Sequence, residues 1–348
     1  MKPVTERTAR ESVEKSAGEP AGEPIGESSR EFTKDFIQSQ SPVQGSDQTE
    51  PTQPQAQPTQ TAATHPNKEF AILTDSGTDT PADIVQNFPV YIVPLQVIYK
   101  DKSYLDGVDI TPKEVAQSLT AEIPHTALPP LGVIEEKIEE IRTNGYTKII
   151  VVTVSANLSG TFNAMQVAAK DYPEMEFAFV DSKSLGLGAG MLCAFAAHCL
   201  EEGKSFEESA ALVQQHVLKS KVFFVIPTLK YLAQGGRIGK VAGLLGMALR
   251  VVPVITIDDN GEFATVAKFR NWKKAIDFAK QSVANHLAKA LSYDLAVADS
   301  GAEEEADGIA QELSKRLPLN KHLYRGEISP ALVVHVGPRF LGIGGLAL

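Results

Sequence analysis

The chain is 348 residues long and 43% hydrophobic, enough to bury a sizeable core and, at roughly 150 residues each, to form about two domains. Its net charge of -10, its pI near 5.3 and its scattered Lys and Arg argue against nucleic acid as a partner. Cys193 and Cys199 lie in one apolar stretch, a pattern of buried thiols and not of a disulfide framework or a metal site.

No apolar run reaches the roughly 18 residues of a membrane helix, and the longest, from Val241 to Ile257, is broken by Arg250 and Pro253. The opening Met1-Lys2-Pro3-Val4-Thr5-Glu6 lacks a signal-peptide apolar segment, so a cytoplasmic location is expected. Residues 1–67 hold 8 of the 21 prolines, two copies of Ala-Gly-Glu-Pro and a Gln/Pro/Thr tract from Pro51 to Gln60. Such a segment has too little apolar surface to offset the entropy of ordering, which predicts a disordered acidic tail, with an interaction arm as one role open to it.

From Glu69 the texture changes. Phe70–Leu73 reads as a buried strand ending in the loop Thr74-Asp75-Ser76-Gly77-Thr78, and Val90 to Tyr99 as a second strand. Apolar residues at 133, 134, 138 and 141 predict a helix within Gly132–Gly145, followed by a strand over Lys148–Val154. A helix from Thr161 to about Lys170, a strand over Phe177–Val180 and a long apolar helix over Leu187–Glu202 complete the strand–loop–helix alternation of a parallel sheet. After a helix over Ser205–Lys219, strands are expected at Val222–Ile226 and Val254–Ile257, with Asp259-Asn260-Gly261 as a hairpin turn into Phe263–Phe269. Further strands at Leu295–Ala298 and Ala331–His335 flank a helix over Glu303–Leu317. The fold class is therefore α/β: an N-terminal α/β subdomain over 68–220 with a parallel sheet, and an α+β subdomain over 221–348.

In open α/β sheets ligands sit beyond the carboxyl ends of the strands, where loops meet helix N-termini with free N–H groups. Three loops qualify: Thr74–Thr78, Ser155–Thr161 and Asp181–Ser184. Any one of them can be an ordinary helix cap. Three together point to a site, most of all at Ser159, where Gly160 lets a ligand approach the backbone at a helix start that favours an anion. His335 precedes the Gly337-Pro338 turn, and on its own a histidine there is more often structural. Pro124–Pro130, with Thr126 inside it, reads as a rigid loop. Gly235-Gly236-Arg237-Ile238-Gly239-Lys240 would expose Arg237 and Lys240 on a sharp turn, as a docking surface for a protein or an anionic membrane, or simply as a solvated loop. No P-loop or dinucleotide spacing occurs, and Asn157 stands where a Gly-x-Ser-x-Gly elbow needs its first glycine.

Thr-Asp-Ser at 74–76, Leu-Ser-Gly-Thr at 158–161, Gly-Gly-Arg-Ile at 235–238 and His-Val-Gly-Pro at 335–338 together resemble the DegV family, over about residues 69–348. The resemblance implies a two-subdomain DegV-like fold that binds a long-chain fatty acid between its halves. It further implies a carrier without catalytic residues, acting as the binding subunit of a kinase system. A separate ATP-dependent fatty acid kinase would phosphorylate the carboxylate to an acyl phosphate, and no metal or cofactor is implied beyond the fatty acid as ligand. By the same resemblance Thr126, Ser159, the Gly160 amide and His335 hold the carboxylate, with Asp75, Ser76 and Arg339 as supporting groups and Arg237 and Lys240 as partner contacts. Two positions depart from the family pattern: Thr126 is followed by Ala127-Leu128-Pro129-Pro130 instead of a polar Ser-Gln, and Arg339 replaces a small residue. An esterase using Ser159 and His335 is the competing reading.

Overall fold

The computed structural model describes residues 68–244 and 251–348, so the disordered tail expected at 1–67 lies outside the described residues. β1 (Ala71–Asp75), buried at every position, leads through one 3-10 turn to α1 (Ala82–Asn87) and β2 (Val90–Val93). The single strand expected from Val90 to Tyr99 is in fact two. Pro94 offers no N–H to a ladder, and beyond it β3 (Gln96–Ile98) departs into a separate sheet with β4 (Ser103–Leu105). After α2 (Pro112–Ser118) comes β5 (His125–Ala127), a strand inside the segment expected to be a rigid loop. Prolines at 124, 129 and 130 confine it to three residues, too few for alternation to show. These strands form an antiparallel sheet of order β4-β3-β5, with Val97 opposite Thr126.

α3 (Leu131–Thr143) buries Ile134, Ile138 and Ile141 along one stripe, as its periodicity requires. β6 (Lys148–Thr153), α4 (Thr161–Ala168) and β7 (Glu176–Asp181) then complete an all-parallel sheet of order β2-β1-β6-β7. α5 (Leu187–Glu201) and α6 (Phe206–His216) close this half, and Ser205 caps α6 by accepting from Glu208 N at 3.2 Å.

β8 (Ser220–Val225), α7 (Lys230–Gln234), β9 (Val252–Ile257) and β10 (Phe263–Phe269) follow, with the expected turn joining β9 to β10 and Gly261 at φ 82°. The chain continues through α8 (Trp272–Leu287), β11 (Tyr293–Ser300), α9 (Glu303–Arg316), β12 (Asn320–Glu327), α10 (Pro330–Val336) and β13 (Phe340–Ala347). The mixed sheet runs β10-β9-β8-β13-β11-β12, with β11 and β12 parallel and the other neighbours antiparallel. α5 is buried along nearly its whole length because it packs on β1 and β6 of one sheet and on β8, β11 and β13 of the other. That placement explains its unbroken apolar sequence and its two free, buried cysteines.

The strand expected at Ala331–His335 is a helix. Pro330 occupies its first turn, where a missing N–H costs nothing, and Val333, Val334 and Val336 are buried by packing on α2, β3 and β5. Three valines in a seven-residue element look like a strand until that packing overrides their preference.

Candidate functional site

A cavity of about 280 Å³ opens where β5, the β6–α4 loop, the segment after α7 and α10 converge. Its polar lining is Thr126, Ser159, Gly160, Arg237 and His335, and its remaining walls are apolar, among them Leu95, Leu158, Phe263 and Leu332. A second, smaller cavity of about 20 Å³ shares Leu185, Phe263, Leu332 and Val336 with the first and has no polar side chain in its lining. Its far walls are Val222 and Phe224 of β8, Ala296 and Ala298 of β11, and Gly342 and Gly344 of β13. The small residues on two neighbouring strands leave this space over the face of the mixed sheet. The combined shape, polar at one end and apolar at the other, suits an amphiphile with an anionic head.

All four residues expected to grip a carboxylate thus line one cavity. Thr126 is set by its pairing opposite Val97, and its Oγ1 lies 2.7 Å from His335 Nε2, although the two residues are 209 positions apart. Ser159 sits in a loop tied down from outside: the Ser155 hydroxyl donates to Gly261 O at 2.8 Å, and Asn157 Nδ2 to Asn260 O at 2.6 Å. Ser159 Oγ also accepts from Thr161 N at 3.3 Å and lies 2.8 Å from Thr161 Oγ1. Ser159 thus both accepts from the first N–H of α4 and lines the cavity. A Cβ at Gly160 would meet only Leu128, at 3.6 Å, so packing does not demand the glycine and the backbone there stays open to the cavity.

His335 stands in the last turn of α10. Burial, with Arg237 and His125 nearby, pushes its imidazole down to about 4, so the ring is neutral at neutral pH. Its Nδ1 is buried with no partner and faces Gly235, where a Cβ would overlap it. The ring pairs with Thr126 and Ser159 with Thr161, so the Ser–His couple an esterase needs is not formed.

Arg237 is not the exposed docking group expected of its glycine-rich turn. It is part-buried, lines the cavity beside His335 and donates from Nη1 to Gly235 O at 2.7 Å. Gly236, at φ 72°, turns the chain so that Arg237 N reaches Leu232 O at 3.1 Å, which swings the side chain inward. The cation was visible in the sequence, but its direction depended on that turn. Lys240 is exposed as expected, yet its ammonium already pairs with Asp258 at 2.6 Å and Glu262 at 2.7 Å.

Of the expected supporting groups, Asp75 and Ser76 lie behind the cavity and not on its surface. Asp75 accepts from Gly77 N at 3.0 Å and Val154 N at 2.9 Å, tying β1 to the end of β6, and burial pushes its carboxyl up to about 7. The Ser76 hydroxyl donates to Asp106 at 2.5 Å and accepts from Leu95 N at 2.9 Å, which holds a wall residue in place. Arg339 does not join the site. It is exposed, at φ 62°, with its guanidinium over the Trp272 ring at 5.1 Å. The apolar walls went unnamed in the sequence because Leu, Phe and Val there are indistinguishable from core.

Among the described residues no group of three or more His, Cys, Asp and Glu is arranged to hold a metal ion, and no helix is long and apolar enough to cross a membrane. A DegV domain-containing protein of Clostridium acetobutylicum is 36% identical over 279 residues, covering 79% of this chain and 98% of the relative. One from Clostridium perfringens is 35% identical over 276 residues, covering 79% and 98%. Among solved structures, a DegV family protein from Thermus thermophilus described by its fatty acid binding aligns with a TM-score of 0.75 at 26% identity, over 80% of this chain and 100% of that one. A stearic acid-binding protein from Eubacterium ventriosum aligns with a TM-score of 0.74 at 27% identity, over 80% and 98%. The model of the uncharacterised DegV protein family matches residues 69–347, and the chain belongs to that family.

Proposed function

We propose that this protein binds a long-chain fatty acid between its halves, 68–220 and 221–348, and presents the carboxylate to a separate ATP-dependent kinase. The observation that carries the reading is the larger cavity, whose polar lining of Thr126, Ser159, Arg237 and His335 comes from distant segments and whose remaining walls are apolar and partly shared with the smaller one. The relatives' described fatty acid ligands support the same chemistry. Burying a sixteen-carbon tail at about 0.8 kcal/mol per methylene supplies roughly 12 kcal/mol before ordering costs, so the tail provides affinity. Hydrogen bonds to the charged head contribute about 1.5–3 kcal/mol each and provide orientation. Neutral donors leave the carboxylate oxygen nucleophilic, and the Arg237 cation at the same end offsets the charge that accumulates when a phosphoryl group arrives.

Native mass spectrometry of the full chain purified from cells tests the binding step: a mass increment of one long-chain fatty acid is expected, and a chain that is ligand-free and takes up no fatty acid overturns it. Thr126→Ala with Ser159→Ala tests presentation. The double variant should lose acyl-phosphate formation by a cognate kinase far more than it loses tail binding, and equal phosphorylation rejects the carboxylate role.

A further inference from the structure

Two carboxylates outside the cavity govern the helix that delivers His335. Asp79 Oδ1 accepts from Ser329 N at 2.9 Å and Asp106 Oδ1 accepts from Ala331 N at 2.9 Å, so both hold the start of α10. Asp106 is anchored in turn by the Ser76 hydroxyl at 2.5 Å. Asp79 is part-exposed as a residue, yet its Oδ2 is buried without a hydrogen bond, as is Ser329 Oγ. On the other side of Asp79, Gly186 closes the space: a Cβ there would stand 3.2 Å from Oδ2 and 3.4 Å from Leu332, a cavity wall. Four residues of α10, Ala331, Leu332, His335 and Val336, line the cavity, so a shift of its start moves the whole wall.

We propose that Asp79 and Asp106 are positioning residues for the head-group site: they fix where α10 begins and thereby hold His335 Nε2 against Thr126. The proposal rests on the fatty-acid reading of the cavity for its consequence on ligand release, but the positioning itself concerns the chain alone. One negative charge at the start of α10 is favoured by the helix N–H groups, while a second buried beside it is opposed by the first. The other titratable group coupled to the pair is Asp75 from the end of β1. No ion pair to Asp75, Asp79 or Asp106 forms among the described residues. Burial raises Asp79 well above the usual carboxylate range and Asp106 to about 6, and their mutual repulsion adds to Asp79. Ionisation of both carboxylates therefore loosens the start of α10.

The test uses the full chain and an 11-dansylamino-undecanoic acid probe displaced by palmitic acid in stopped flow. At neutral pH Asp79→Ala, which removes the acceptor for Ser329 N, should raise the probe's dissociation rate about tenfold over wild type. Asp79→Asn, which keeps the size and the acceptor oxygen, should raise it less than about twofold. An Asp79→Ala rate within about twofold of wild type, or an Asp79→Asn rate equal to that of Asp79→Ala, overturns the proposal. A second arm needs no ligand: hydrogen exchange of the 329–337 segment should lose protection in Asp79→Ala and not in Asp79→Asn. Equal loss in both rejects the positioning role even if no probe binds, an outcome that would separately remove the fatty-acid reading.

Discussion

Adding a single methyl at Gly235 should uncouple head-group recognition from tail binding. Gly235 has φ -74° and ψ -4°, ordinary helical values, so alanine meets no backbone strain there and is the better helix former. The only obstacle is steric. The new Cβ would overlap His335 Nδ1 and come within 2.7 Å of its Cε1, while Tyr231 O at 3.3 Å blocks retreat on the other side. The imidazole must rotate away, which breaks its 2.7 Å contact with Thr126 and removes one donor from the carboxylate. Losing one hydrogen bond to a charged group, worth about 1.5–3 kcal/mol, corresponds to a palmitate Kd roughly 10- to 150-fold weaker. Titration calorimetry with palmitate and with hexadecanol separates head from tail, since the alcohol carries the same tail without the charge. Gly235→Ala that binds palmitate within about twofold of wild type would refute the reasoning, and so would an equal loss for the alcohol, which would place the damage in the apolar walls.

Ala298 faces the inner cavity, and Ala298→Phe should fill it, so that stearate affinity falls by more than about tenfold while octanoate stays within twofold, at about 0.8 kcal/mol per excluded methylene. A chain-length series in a fluorescence displacement assay checks this, and a uniform loss across lengths would count against a tail path over the mixed sheet. The folded state holds His335 at about 4, below the usual 6.5, so unfolded chains bind the extra proton. The stability this contributes is complete above about pH 6.5 and is lost as pH falls toward 4, on the order of 2–3 kcal/mol. Urea midpoints of His335→Asn should therefore decline less than wild type across that window, and parallel curves would contradict the buried, neutral ring.

How far the sequence was readable depends on where the deciding information lies. β6 and α3 announce themselves because an unbroken apolar run, Ile149 to Val152, or a 3.6-residue stripe is a local property. α10 does not, because its seven residues include paired valines whose helical state depends on Pro330 at one end and on packing against α2, β3 and β5. At the site, Thr126, Ser159 and His335 stood out as polar groups in motifs, and the structure places them at one cavity. The direction of Arg237 was not legible because a glycine turn fixes only where a side chain starts, not whether it points to solvent or inward. Asp79 and Asp106 passed unnoticed: 27 residues apart in unrelated loops, they become partners only through α10, which arrives more than 200 residues later.

β13 lies in the middle of the mixed sheet, between β8 and β11, although it is made after every other strand. During synthesis the β8–β9–β10 flank and the β11–β12 flank emerge first, each with an open edge facing the gap that β13 will fill. Until Phe340–Ala347 leaves the ribosome neither the sheet nor the α10 wall before it is in place, at translation rates of about 5–20 residues per second. Unpaired edges of that kind recruit other strands, so the nascent chain passes through a sticky interval that a holdase chaperone would shorten. The same late strand carries Gly342 and Gly344 of the inner cavity, so that cavity is complete only in a chain whose synthesis has passed residue 347.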